Sequence, residues 1–238
     1  HEKKKGIDSR KKNQQTAESQ QVRAIEESKF QLHQEKGEME IGRGVKQCRK
    51  DIAIYWHKHC VDHAIANHPE QPARVSSILQ ELRRHWSEEI FREAPLVTED
   101  QIRLFHSAEH ISKLNTLSCR AQIAHEKKLP NRVQMIDQDT MVMHHTLEAA
   151  KRAAGSIVSA IDDCFLPVSD PRAVRRAFCC VRPPGHHAER GRSMGFCFLN
   201  NAGIAARYAQ QKYGVKKVAV LDFDVHHGNG TEEGFADD

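Results

Sequence analysis

Residues 216–231 read KKVAVLDFDVHHGNGT, and this stretch decides the fold. Val218-Ala219-Val220-Leu221 is a short apolar, β-branched run of the length and composition of a buried strand. The run ends in Asp222, Asp224, His226 and His227, with Gly228 and Gly230 directly behind them. Side chains alternate along a strand, so Asp222, Asp224 and His226 are expected on one face and Phe223 and Val225 on the other. Two carboxylates and an imidazole gathered at a strand end are costly to desolvate without a partner. A divalent cation is one such partner, and mixed oxygen and nitrogen donors suit zinc or a similar ion. The plainer alternative is a polar, solvated strand end.

A second stretch repeats the layout. Residues 178–187, FCCVRPPGHH, place an apolar strand before Pro183-Pro184-Gly185 and then His186-His187. The prolines stop the strand and the glycine allows a tight turn. In an open parallel sheet, ligands gather beyond the carboxyl ends of the strands, where the two polar clusters could meet. A neutral histidine there makes an effective general base, because its ordinary pKa lies near working pH.

Three runs, Arg182-Pro-Pro-Gly-His-His-Ala188, Met194-Gly-Phe-Cys-Phe-Leu-Asn200 and Asp222-Phe-Asp-Val-His-His-Gly-Asn-Gly230, resemble the zinc-dependent histone deacetylase family. That family includes acetylpolyamine amidohydrolases and acetoin-utilisation proteins, and the wording is most similar to the class II deacetylases. His68-Pro69-Glu70 and Arg74 also resemble the family's opening motif. The resemblance covers residues 51–238. It implies an arginase/deacetylase-like α/β fold, an open and mostly parallel sheet with helices on both faces, incomplete in this chain.

The 238 residues suit one domain with an extension. The first residue is His, so a fragment or a processed piece is expected. Residues 1–50 hold 13 Lys and Arg against 8 Asp and Glu, a net of +5, while residues 51–238 hold 23 against 24. The overall charge of +4 therefore comes from the extension. Rich in Gln, Glu, Lys and Ser, residues 1–50 are expected to be a disordered, basic, polar segment with at most a weak solvated helix over 16–40. Lys3-Lys4-Lys5 and Arg10-Lys11-Lys12 could serve nuclear import or nucleic-acid contact. The interspersed acids favour a solvated tail, so direct nucleic-acid binding is not expected. No apolar run reaches the roughly 20 residues that span a bilayer, and no signal peptide is visible.

Within residues 51–238, a strand is expected at Ile52–Trp56 and a helix from Pro72 through Trp86, with Val75, Ile78, Leu79 and Leu82 at helical spacing. Shorter helices follow over 99–105 and 108–117, then a loop over 130–139 and an Ala-rich helix over 147–164. A strand at 177–181, a helix at 200–213 capped by Gly214 and the strand at 218–221 form a βαβ unit. His57, His59, Cys60, His63 and His68 match no standard zinc spacing and are read as a loop leading into the opening motif. The seven cysteines (48, 60, 119, 164, 179, 180 and 197) lack regular spacing, which points to a reducing compartment and no disulfide framework.

Asp224 and His226 are the expected zinc ligands, projecting together from one strand end. A catalytic zinc takes three protein ligands and keeps an open position. The resemblance implies a second Asp well downstream as the third, and a tyrosine in a later glycine-rich loop. Neither Asp237 nor Asp238 matches, so the chain is expected to be C-terminally truncated and inactive by itself. The resemblance further implies His187 as the base, His186 as its neighbour, Asp222 orienting His186, and Asn229 where some relatives carry Asp. Asp222, Asp224 and His226 would share a potassium ion, and Gly195 and Phe196 would line the acyl-lysine tunnel. The implied cofactors are Zn2+, with Fe2+ as the alternative metal, and K+. The implied substrate is an acetylated-lysine protein, histone tails among the candidates, with co-repressor partners and a nuclear or cytoplasmic setting. Two other readings of the same residues differ in class. A two-metal ureohydrolase wants Asp-x-His-x-Asp, but Gly228 occupies the last place. A non-catalytic binding module would need only the surface of the domain.

Overall fold

A computed structural model describes residues 51–238. The expectations for residues 1–50, including the extension, its basic runs and Cys48, lie outside the described residues.

Strand β1 (Ile52–Trp56) is at the centre of a parallel three-stranded sheet ordered β2-β1-β5, with β2 at Phe91–Glu93 and β5 at Arg176–Cys179. Its alternating side chains reach two cores. Ile54 packs with Val75 and Leu79 of helix α1 (Ala73–His85), while Ala53 and Tyr55 pack on Ala160 of helix α4 (Thr146–Phe165). Both faces of the sheet are therefore covered, which is why β1 reads as a continuous apolar run instead of an alternating one. Because β1 is central, the chain leaves it first for β2 on one side and later for β5 on the other. Such a reversal of strand order opens a crevice at the carboxyl ends of the strands.

A larger helical core joins α2 (Glu99–Arg103), α3 (Ala108–Glu126), α4 and α5 (Asn201–Tyr213) around Phe105, Leu114, Val158 and Ile204. Phe198 and Leu199, which enter α5, are buried in the same core and fix the loop in front of them. Gly214 ends α5 in the left-handed conformation, as its C-cap role requires. A two-residue hairpin, β3 (Gln134–Met135) with β4 (Met141–Val142), occupies the expected loop over 130–139, and α6 (Asn229–Phe235) follows the last motif.

One expected element is corrected. Residues 218–221 form no strand, and Leu221 is 88% exposed. Among the described residues no neighbouring strand supplies a hydrogen-bond ladder, so the apolar run that reads as a buried strand has nothing to pair with. The βαβ unit is accordingly not closed by this segment. The parallel crossovers that do form lead from β1 to β2 and from β1 to β5.

Candidate active site

The chain leaving β5 turns at Pro183-Pro184-Gly185 and delivers His186 and His187 beyond the strand's carboxyl end. A buried ion pair supports that turn. Arg182 and Glu70 are both 2% exposed; Arg182 Nε donates to Glu70 Oε1 at 2.8 Å and a second guanidinium nitrogen meets Oε2. Arg182 also donates to the carbonyls of Cys60 and His63, so every arm of the fork is used. Buried charge is tolerable only when paired and hydrogen-bonded in this way.

The two imidazoles lie 4.1 Å apart, centroid to centroid, each tied at Nδ1 to a side chain from the 222–229 segment. His186 Nδ1 donates to Asp222 Oδ2 at 2.8 Å, and His187 Nδ1 donates to Asn229 Oδ1 at 2.7 Å. The second segment is clamped to the first by Gly230 N–H and Thr231 N–H, which both donate to the His186 carbonyl. A Cβ at position 228 would stand 2.6 Å from the Asp222 carboxylate, so a side chain there would push on the His186–Asp222 pair.

Asp222 and Asp224 each fold the backbone around themselves. Asp222 Oδ1 accepts from Asp224 N–H at 3.1 Å, and Asp224 Oδ1 accepts from His226 N–H at 2.8 Å. Burial pushes the Asp222 carboxyl up, but hydrogen bonds from the Asp224 N–H and His186 outweigh it and hold the group below the ordinary aspartate value. Asp224 is likewise lowered, first by the His226 N–H and then by the His226 ring. Asp224 Oδ1 and His226 Nδ1 stand 3.0 Å apart. Tetrahedral zinc with bonds near 2.0 Å needs donor atoms roughly 3.3 Å apart, so the pair suits two vertices of such a site in spacing and in donor chemistry. A group of three His, Cys, Asp or Glu side chains able to hold a metal does not occur among the described residues.

The third motif forms a wall. Gly195 has φ +55, and a Cβ there would collide with the His187 ring. Phe196 follows at φ +67, a conformation that costs a non-glycine residue about 1–3 kcal/mol. It is held there by its N–H donating to Thr140 Oγ1 at 3.1 Å and by the His68 ring edge-on at 4.5 Å. An open cavity of about 410 Å³ in front of this wall is lined by His187, Gly195, Met194, Asn229 and the 137–139 loop. A second cavity of about 370 Å³ borders His186, Asp222 and Asp224.

The structure thus brings together His186, His187, Asp222, Asn229 and Gly195, with Asp224 and His226 beside them; the His187 and His226 rings are 5.9 Å apart. Phe196 is in the same wall. Supporting residues not assigned from the sequence are Glu70, Arg182 and Asn200. Glu70 and Arg182 stood inside quoted motifs, but only the fold shows that they meet. His57, His59 and Cys60 do not assemble a metal site: His57 faces Glu93, His59 faces Asp62, and Cys60 is buried.

A parallel sheet flanked by helices, with paired histidines beyond β5, is consistent with an arginase/deacetylase-like α/β fold, and comparison with known proteins agrees. Residues 68–238 match the histone deacetylase domain, and the chain belongs to the histone deacetylase family. It is 37% identical over 175 residues to histone deacetylase 6 of Caenorhabditis elegans, covering 72% of this chain and 18% of that protein. It is 34% identical over 173 residues to the polyamine deacetylase HDAC10 of Rattus norvegicus, covering 71% and 27%. The crystal structure of the HDA15 HD domain superposes with a TM-score of 0.66 at 32% identity, covering 78% of this chain and 50% of that one. The chain therefore spans less than a third of these two relatives and half of the solved domain.

Proposed function

We propose that this chain carries the general-base half of a metal-dependent site that hydrolyses the acetyl-lysine amide of proteins, histone tails among them. The observation that carries the reading is the pair of imidazoles whose Nδ1 atoms are both engaged, with the His187 ring 5.9 Å from the His226 ring of the donor pair Asp224–His226. Asp224 and His226 would hold zinc, with ferrous iron as the alternative, and the metal when bound supplies Lewis acidity to the acetyl carbonyl and the attacking water. Asp222, with Asp224 and His226, would hold the potassium ion.

The chain's own residues do the rest. His187, with its proton on Nδ1 held by Asn229, offers Nε2 to accept a proton from water. His186 is backed by the Asp222 carboxylate, which holds its ring in place beside the base. Gly195 keeps a side chain out of the space above His187, and Phe196 presents an apolar face to the lysine stem. A nuclear or cytoplasmic role in chromatin regulation with co-repressor partners fits this reading. The similarity to a polyamine deacetylase supports acetylpolyamine as the second substrate class.

The test separates base from ligand in a protein carrying this chain with a complete set of metal ligands. His187→Ala is expected to lower kcat by about 10²–10⁴-fold with zinc retained. Asp224→Ala is expected to lose the zinc. An emptied metal site in His187→Ala, or near-normal turnover, would defeat the assignment. Acetyl-lysine peptide and acetylspermidine, offered in parallel, decide the substrate class.

A further inference from the structure

We propose that Glu189 is a positioning residue that sets the tautomer of His187 by fixing which end of the Asn229 amide faces the imidazole. This rests on the reading of His187 as the base.

Asn229 bridges two groups. Its Oδ1 is 2.7 Å from His187 Nδ1, and its Nδ2 is 3.0 Å from Glu189 Oε1 and 3.5 Å from Met194 Sδ. A carboxylate and a thioether only accept hydrogen bonds. Both groups on that side therefore demand the amide NH2. The carbonyl oxygen is left toward His187, and because it too can only accept, Nδ1 must carry the hydrogen. A neutral imidazole has one N–H, so Nε2 is left with its lone pair.

The requirement follows from having an amide at 229. An aspartate would present an acceptor whichever way it turned. An asparagine has two unlike ends, and rotated by half a turn it would offer N–H to Nδ1, force the ring hydrogen onto Nε2 and abolish the base. Something must choose the orientation, and Glu189 is the charged group placed to do so. Its position is fixed by a tight turn in which Ala188 N–H donates to the Gly185 carbonyl at 3.0 Å and Glu189 N–H donates to the Arg192 carbonyl at 2.9 Å. Glu189 is half-buried, so its bond to the amide is less exposed to competition from water than a surface contact would be.

The tautomer can be read without turnover. Long-range 1H–15N spectra of the 238-residue chain with 15N-labelled histidine, recorded at about pH 8, report which ring nitrogen carries the hydrogen; His187→Gln identifies the His187 signals. His187 is expected as the Nδ1–H form. Glu189→Lys replaces an acceptor by a donor, and is expected to turn the amide and move His187 to the Nε2–H form. Adding Asn229→Asp to Glu189→Lys is expected to restore Nδ1–H, because a carboxylate accepts on both sides. If Glu189→Lys fails to fold, Glu189→Ala is expected to show 15N shifts averaged between the two forms. Retention of pure Nδ1–H in Glu189→Lys or Glu189→Ala, or no restoration in the double variant, would overturn the proposal. If the tautomer follows these rules while His187→Ala keeps full turnover, the base assignment fails and the role of Glu189 stands.

Discussion

Gly195 shows how tightly single positions are specified around the imidazoles. Its positive φ and the His187 ring both exclude a side chain, so Gly195→Ala is expected to cost more than about 1 kcal/mol in chemical denaturation and to displace the ring. A second expectation concerns the ion pair beneath the turn. Glu70→Ala strands the Arg182 guanidinium in a buried site, and should lower stability by about 3–5 kcal/mol, measured by urea unfolding. Replacing both residues by apolar ones of similar volume should be milder than Glu70→Ala, since no buried charge is left alone. The motif residues themselves were legible in the sequence, because polar groups directly after an apolar run are conspicuous. Their partners were less so: Glu70 precedes Arg182 by 112 residues, and no local pattern joins them.

At the scale of elements, legibility followed the locality of the interactions. β1 and α5 were readable to within a residue, since β1 is an apolar run covered on both faces and α5 begins at an Asn cap and ends at a Gly cap. α3 extends to Glu126, well past the expected 108–117, because Ala121 and Ala124 keep its inner face packed after the larger apolar residues stop. β2 was missed: Phe91-Arg92-Glu93 has no strand pattern and exists because β1 offers it an edge. The 218–221 segment is the converse, a strand-like sequence without an edge to join. Leu221 at its end and Phe223 and Val225 just beyond it are about nine-tenths exposed. The chain alone is therefore expected to bind a hydrophobic dye such as ANS and to self-associate with rising concentration. Leu221→Lys should reduce both, which fluorescence titration and sedimentation would show; unchanged dye binding would mean that the apolar run is covered in solution.

For the molecule as a whole, stability and site share one scaffold of buried neutral histidines. Burial lowers the pKa of His63 and of His106 to about 3, below the ordinary 6.5. The unfolded chain therefore binds more protons than the folded one between roughly pH 6.5 and 3. The stability these groups contribute is fully present above about pH 6.5 and is lost progressively as pH falls toward 3. Tm should decline across that window, and His106→Gln should flatten the decline; a Tm constant from pH 7 to 4 would contradict the burial of both rings. His106 also accepts the N–H of Asn200, a fully buried residue whose side chain caps α5 through Gly203 N–H and donates to the Ala188 carbonyl and to Thr231 Oγ1. All of that amide's main bonding capacity is spent on three separate stretches of chain, and aspartate would lack the two donors. Such a hub has an evolutionary effect. The stretches around positions 106, 188, 200 and 231 cannot drift one at a time and should be inherited as a block, while insertions accumulate in the exposed 127–133 turn, where no comparable side chain keeps count.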